Sequence, residues 1–290
     1  MNKIIINEYD LYNPRINNKA DILCISDIHS EIELLKRIKE YLKSTNIDFI
    51  LVPGDLVDSL NDERNEEMHH VLDKIAHIVP IYVVLGNHDL FYSINKKKSY
   101  EFYNEIKRSN NITIFNEFTS KKQLTEDIAL HGLNLPLSWY LEKEKESTFN
   151  RLLNSIQEVD DKEFNIMITH SPSGLIKNKR LNDRINYLKN MNLVLCGHMH
   201  AGLVPIPLRK NHHLGLVGPY RSLFPKNAHG IIQDTVLISG GLTKISKSSE
   251  AKMFAGFFNK TLSHELELIH MNKGKNHALK LTNRIKMNNP

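Results

Sequence analysis

Residues 81–90 read IYVVLGNHDL. The run Ile81 to Leu85 is β-branched, aromatic and apolar without alternation, the pattern of a strand covered on both faces. It drives into Gly86 and then meets an amide, an imidazole and a carboxylate in succession: Asn87, His88 and Asp89. One such tripeptide is weak. Its meaning depends on whether other buried strands end the same way.

They do. CISDIHS puts Asp27 and His29 after an apolar run, and VPGDLVD puts Asp55 and Asp58 after another. ITHSP contributes His170, and LCGHMHAG contributes His198 and His200. Between these runs lie stretches with helical spacing, such as EIELLKRIKEYLK (31–43) and ERNEEMHHVLDKIAHI (63–78). Strands are expected at 3–9, 20–26, 48–54, 81–86, 112–115, 122–125, 128–132, 164–170 and 193–198. Further helices are expected near 99–109, 145–157 and 180–190. GIIQ, TVLISGG and HELELIHM make the C-terminal part β-rich. Alternating β and α elements predict an α/β fold, whose sites gather at the carboxyl ends of its strands.

If those strands are neighbours, the polar ends meet. Oxygen and imidazole donors without thiolate suit Mn, Fe or Zn ions. The alternating strand geometry is expected to keep the donors of Asp-x-His and His-x-His on one side. Gly54, Gly86 and Gly197 precede Asp55, Asn87 and His198 and allow sharp turns there. Seven donors exceed one four-coordinate ion and match two ions sharing a carboxylate.

The ordered set DIH, GDLVD, GNHD, THSP and GHMHAG resembles the calcineurin-like metallophosphoesterase superfamily over residues 24 to about 202. SLFPKNAHG (222–230) and SGGL (239–242) resemble a bacterial phosphodiesterase branch of it. The resemblance implies a four-layer α/β/β/α sandwich with a dinuclear metal centre at the strand ends. It implies that Asp27, His29 and His200 hold one ion, that Asn87, His170 and His198 hold the other, and that Asp55 bridges them. His88 is implied as the non-ligand histidine at the scissile phosphate or leaving group. Two such ions lower the pKa of a shared water and neutralise phosphate oxygens. Asp58 or Asp89 is expected to orient His88 or a ligand, with a helix N-cap as the plainer reading of Asp58. His69, His70 and His77 read as decoration of a helix. His212, His213 and His229 are candidates for the pocket wall, as are Phe91 and Tyr92.

The expected activity is hydrolysis of a small phosphate ester, with a nuclease or a non-catalytic scaffold of the same fold as alternatives. The last twenty residues carry Lys273, Lys275, Lys280, Arg284 and Lys286 and no acid, which accounts for the whole net charge of +5. The body is therefore near neutral, which disfavours extended nucleic acid. Residues 1–270 read as one domain and 271–290 as a flexible basic tail able to touch an anionic membrane surface. No stretch of about 18 apolar residues occurs, the N-terminus does not read as a signal peptide, and Cys24 and Cys196 lie in apolar runs. These features predict a cytoplasmic protein with buried thiols. The oligomeric state is open.

Overall fold

The structure is a computed structural model. It describes residues 3–57, 62–94, 109–115, 119–141, 159–172, 190–204, 214–218, 224–242 and 262–287, together with Tyr103, Asn104 and Ile106. The expected helices at 145–157 and 180–189, Asp58, His212 and His213 lie outside the described residues, as does most of the helix expected near 99–109.

Two sheets form the body. The first contains β1 (Ile4–Asn13), β2 (Ala20–Cys24), β3 (Phe49–Pro53), β4 (Ile81–Val84), β5 (Ile112–Ile114), β12 (His264–Lys273) and β13 (Ala278–Lys286). Their order across the sheet is β13-β1-β12-β2-β3-β4-β5. The second contains β6 (Thr119–Gln123), β7 (Ile128–Leu133), β8 (Phe164–Thr169), β9 (Leu193–Cys196), β10 (Gly230–Ile232) and β11 (Val236–Ile238), in the order β10-β11-β9-β8-β7-β6. Strands β2 to β5 run parallel, as do β7, β8, β9 and β11.

The apolar pattern explains the layering. Side chains such as Ile22, Leu51, Val84, Ile166 and Leu195 join both sheets in a shared core. The other face of the first sheet packs on α1 (Ile32–Leu42) and α2 (Asp62–Ala76). Helix α1 buries Ile32, Leu34, Leu35, Ile38 and Leu42, a stripe at three- and four-residue spacing. The outer face of the second sheet packs Met167, Val194 and Ile238 against Trp139 and Tyr140, which belong to α3 (Leu137–Leu141). Helix, sheet, sheet and helix thus follow in order. Strands β4, β8 and β9 are buried along their whole length, as expected of strands covered on both faces. Both cysteines are buried and free. No helix of the described residues is long and apolar enough to cross a membrane.

The basic segment departs from expectation. Residues 264–273 continue as one strand past 270, and 278–286 form β13, paired antiparallel with β1. Leu279 and Met287 are buried and join the two cores of the first sheet. The sheet therefore does not close at residue 270, and Lys280, Arg284 and Lys286 sit on an ordered edge strand.

Candidate metal centre

The carboxyl ends of β2, β3, β4, β8 and β9 converge at one edge shared by the two sheets. Asp27, His29, Asp55, Asn87 and His88 follow strands of the first sheet, and His170, His198 and His200 follow strands of the second. All seven expected ligands and His88 come together there. One ligand atom each from Asp27, His29 and His200 lies within 4.8 Å of the others, and so do those of Asp55, His170 and His198. His29, Asp55 and His88 form a third such group between them.

The backbone achieves this differently from the expected strand alternation. β2 ends at Cys24 and β9 at Cys196, before any donor. Asp27, His29, Asp55, His198 and His200 instead have φ of 53°, 46°, 53°, 68° and 46°. Left-handed backbone is uncommon outside glycine, with Asp, Asn and His its most frequent other occupants. Five candidate donors in that region mark strain held by the surrounding structure, a feature of functional sites. The reversals, not the pleat, turn neighbouring donors to one side.

At the His170 end, Nδ1 donates to the Pro53 carbonyl at 2.8 Å. That fixes the tautomer and aims Nε2 at the cleft, as in a histidine readied for a metal. Within 3.2 Å of Nε2 stand Asn87 Oδ1 (3.1 Å), His198 Nδ1 (3.1 Å) and Asp55 Oδ2 (3.2 Å). Burial opposes a charged His170, but the Asp55 carboxylate outweighs it and raises the group to about 9. The cluster of acceptors draws positive charge to this point, a proton when nothing else supplies it. Burial, with His170 beside it, holds His198 well below the usual histidine range. Burial does the same to His29 against the pull of Asp55. Both rings stay neutral and keep a lone pair for a cation.

The carboxylates are wedged in place. Asp55 Oδ1 accepts the His88 backbone N–H at 2.8 Å. Its Oδ2 is buried, has no aligned donor among the described residues, and faces His170 Nε2 at 3.2 Å and His29 Nε2 at 3.7 Å. Burial disfavours the Asp55 anion, yet His170, His29 and His88 hold it well below the usual carboxylate range. Any side chain at Gly86 would collide with Asp55 Oδ1. Asp27 accepts the Ser26 hydroxyl and, at 3.1 Å, the His198 backbone N–H. His200 Nε2 stands 3.8 Å from it. A carboxylate oxygen without an aligned donor, the neutral rings of His29 and His198 and an all-nitrogen-and-oxygen donor set fit hard to borderline divalent ions.

Of the two partners expected for Asp89, His88 or a neighbouring donor, the structure places it beside the donors' loops. It is fully buried and accepts the backbone N–H groups of Leu56 (3.0 Å), Val57 (3.1 Å) and Gly86 (2.8 Å) and the Tyr103 hydroxyl (3.0 Å). It touches backbone, not the His88 ring, and clamps the loop carrying Asp55 to the loop carrying Asn87. Burial raises it to about 6, and Asp55 adds to the rise. His88 packs edge-on against His29, ring centres 4.6 Å apart. A cavity of about 420 Å³ opens over the centre, lined by the polar Asp55, Asn87, His88, His198 and His200 and by Phe91, Tyr140, Met199 and Val217. Phe91 is thus a wall residue. His229 is buried against Glu265 at 2.8 Å, not on this wall.

Sequence reading missed Ser26, Tyr103, Tyr140, Ser239 and the pair Glu265 and Glu267. The two acids alternate with leucine in HELELIHM, a pattern normally read as a wet face. β12 lies inside the sheet, and both are buried.

Comparison with known proteins agrees with this geometry. A 226-residue match, 26% identical, covers 76% of the chain and 72% of the uncharacterized protein YpbG of Bacillus subtilis (strain 168). Among solved structures, the yellow lupin (Lupinus luteus) purple acid phosphatase is 12% identical with a TM-score of 0.45, covering 93% of this chain and 47% of that one. The E. coli phosphoesterase Yfce is 14% identical with a TM-score of 0.31, covering 62% and 70%. The family model described as calcineurin-like phosphoesterase matches residues 20–202, the span that holds every converging donor, and the chain belongs to that family.

Proposed function

We propose that the protein hydrolyses small phosphate esters at a dinuclear metal centre. The observation that carries this reading is the convergence on His170 Nε2 of Asn87, His198 and Asp55 at 3.1–3.2 Å, beside a second donor group of Asp27, His29 and His200. In this reading Asp27, His29 and His200 hold one ion, Asn87, His170 and His198 hold the other, and Asp55 spans both. Mn, Fe and Zn suit the donors. Two such ions supply Lewis acidity that activates water and offsets the charge of the phosphate.

The chain's own residues do the remaining work. The Pro53 carbonyl and the Asp89 clamp hold His170, Asp55 and Asn87 in register before substrate arrives, which favours the reaction by preorganisation. His88 lines the cavity beside the donors, where an imidazolium would give its proton to the departing alkoxide. Phe91, Tyr140, Met199 and Val217 give the ester's organic part an apolar wall and limit water on that side. The resemblance of SLFPKNAHG and SGGL to a phosphodiesterase branch favours diesters among the substrates.

The test is elemental analysis of the pure protein, followed by assay of a panel of phosphate mono- and diesters with Mn, Fe, Zn and Mg added separately. Two ions per chain and metal-dependent hydrolysis are expected. Asp55→Asn should lose both ions and activity together. A stoichiometry that never exceeds one at saturating Mn would overturn the dinuclear reading.

A further inference from the structure

A second buried polar cluster lies against the candidate metal centre. Glu267, Ser239 and Asn7 are almost wholly excluded from solvent, and Glu265 and His229 nearly so. Glu267 Oε1 accepts the Ser239 hydroxyl at 3.1 Å, and Oε2 accepts Asn7 Nδ2 at 3.0 Å. Glu265 Oε2 meets His229 Nε2 at 2.8 Å. The ligand atoms of His229, Glu265 and Glu267 lie within 4.8 Å of one another, so the group has the makings of a cation site. Its donors argue otherwise. Both oxygens of Glu267 and the facing oxygen of Glu265 already meet protein groups. A cation there would have to share those oxygens with their present partners, whereas Asp55 offers an oxygen that no aligned donor takes.

What the cluster does hold is a turn. Ser239 Oγ, besides donating to Glu267, accepts the Gly241 N–H at 3.1 Å. The Gly241 carbonyl accepts the Glu265 N–H at 3.0 Å, the Leu242 N–H reaches the Ser26 carbonyl at 2.9 Å, and the Ser239 N–H reaches the Cys196 carbonyl at 2.9 Å. The turn 239–242 is thereby tied to β12, to the end of β2 and to β9. Gly241 has φ of 69°, and a Cβ there would lie 2.7 Å from Asp27 Oδ2 and 2.9 Å from Asp27 Cβ. The turn is the wall behind the Asp27 carboxylate. Ser26 and the His198 N–H hold that carboxylate from other sides.

We propose that Glu267, acting through Ser239 and Gly241, is a positioning residue for Asp27, and that it tunes the affinity of the ion held by Asp27, His29 and His200 without touching it. This rests on the dinuclear reading above. Partners of this kind usually matter by about 10- to 100-fold in metal affinity.

The experiment titrates the full chain with Mn²⁺ by calorimetry, with electron paramagnetic resonance separating lone from coupled Mn²⁺. His200→Ala identifies which binding step belongs to the Asp27 site. Ser239→Ala should weaken that same step about 10- to 100-fold and leave the other within about threefold. The lone-ion spectrum should then persist to higher Mn²⁺ than in the wild type. Glu267→Gln, which keeps an acceptor for Ser239, should fall between wild type and Ser239→Ala, and it decides the matter if Ser239→Ala does not fold. Both steps unchanged in both variants, or both weakened in parallel, would overturn the proposal. So would a third ion in the wild type that Glu267→Gln removes. A wild-type chain that binds no Mn²⁺ overturns the dinuclear function itself along with this inference. A wild type with two ions and both variants unaffected overturns this inference alone.

Discussion

His88 is flanked by the proposed ligands yet is the one histidine of the cluster to which the proposal assigns no ion. Its backbone N–H holds Asp55 and its ring leans on His29. His88→Asn keeps the backbone bond and removes the imidazole. It should retain both ions by elemental analysis and lose about 10²- to 10⁴-fold in kcat. The loss should shrink for p-nitrophenyl esters, whose leaving group departs without a proton. Loss of metal in step with activity would make His88 a ligand. Glu267 gives a second test at this scale. Burial raises it from near 4.5 to about 6, with Glu265 adding to the rise. An acid with a raised folded pKa binds its proton more tightly in the fold, so stability falls as pH rises between those values. Urea unfolding of the metal-free protein at pH 4.5 and 7 should show a decline of up to roughly 2 kcal/mol from this group. Glu267→Gln should lack that component, and an unaltered pH slope in the variant would refute it. The converging donors were legible because a polar triplet at the end of an apolar run has no packing explanation. The Asp89 clamp was not, because its four donors come from two loops and a tyrosine at position 103.

Among the elements, β13 shows where reading from sequence fails. ALKLTNRIK mixes Lys280, Thr282, Asn283, Arg284 and Lys286 with apolar residues, and Leu281 and Ile285 remain about 40% exposed. Its apolar signal is too thin to distinguish a strand from a solvated end. A charged, half-exposed strand is nevertheless a common guard for a sheet edge, since it discourages pairing with other chains. Only its position beside β1 reveals that role. Removing residues 275–290 should therefore destabilise the protein severely rather than trim a tail. Burial of Leu279 and Met287 alone contributes about 1.5–3 kcal/mol each, before the lost pairing with β1. Thermal melts and the soluble yield of the truncated chain check this. A truncated chain that melts like the full one would mean β13 adds nothing to the fold. By contrast, β4, β8 and β9 were readable almost to the residue, because strands buried on both faces are unbroken apolar runs.

Across the whole molecule, the candidate centre is a seam. One sheet brings Asp27, His29, Asp55 and Asn87, and the other brings His170, His198 and His200. In the dinuclear reading each ion ties the two sheets together, so binding favours the folded state by mass action. Mn²⁺ at about a hundred times its dissociation constant should add roughly 2.7 kcal/mol per site, and a chelator should reverse the rise in Tm. A Tm indifferent to Mn²⁺ would show that the seam binds no ion. The two-sheet plan was foreseen from family resemblance, whereas strand order was not, since pairing between distant segments leaves no local mark.

The place of β1 carries a consequence for how the chain is made. It lies between β12 and β13, and its Asn7 meets Glu267 at a separation of 260 residues. During synthesis the strand emerges early, with Ile4, Ile6, Tyr9 and Leu11 all destined for burial, and both its neighbours emerge more than 250 residues later. Until then its two edges have nothing to pair with, which is a hazard for self-association. Ribosome-bound chains stalled before residue 264 should accordingly stay protease-sensitive through residues 4–13 and recruit chaperones. Chains stalled on an appended C-terminal linker long enough for residue 287 to clear the exit tunnel should be protected, and equal protection in both would show that β1 finds shelter without its neighbours.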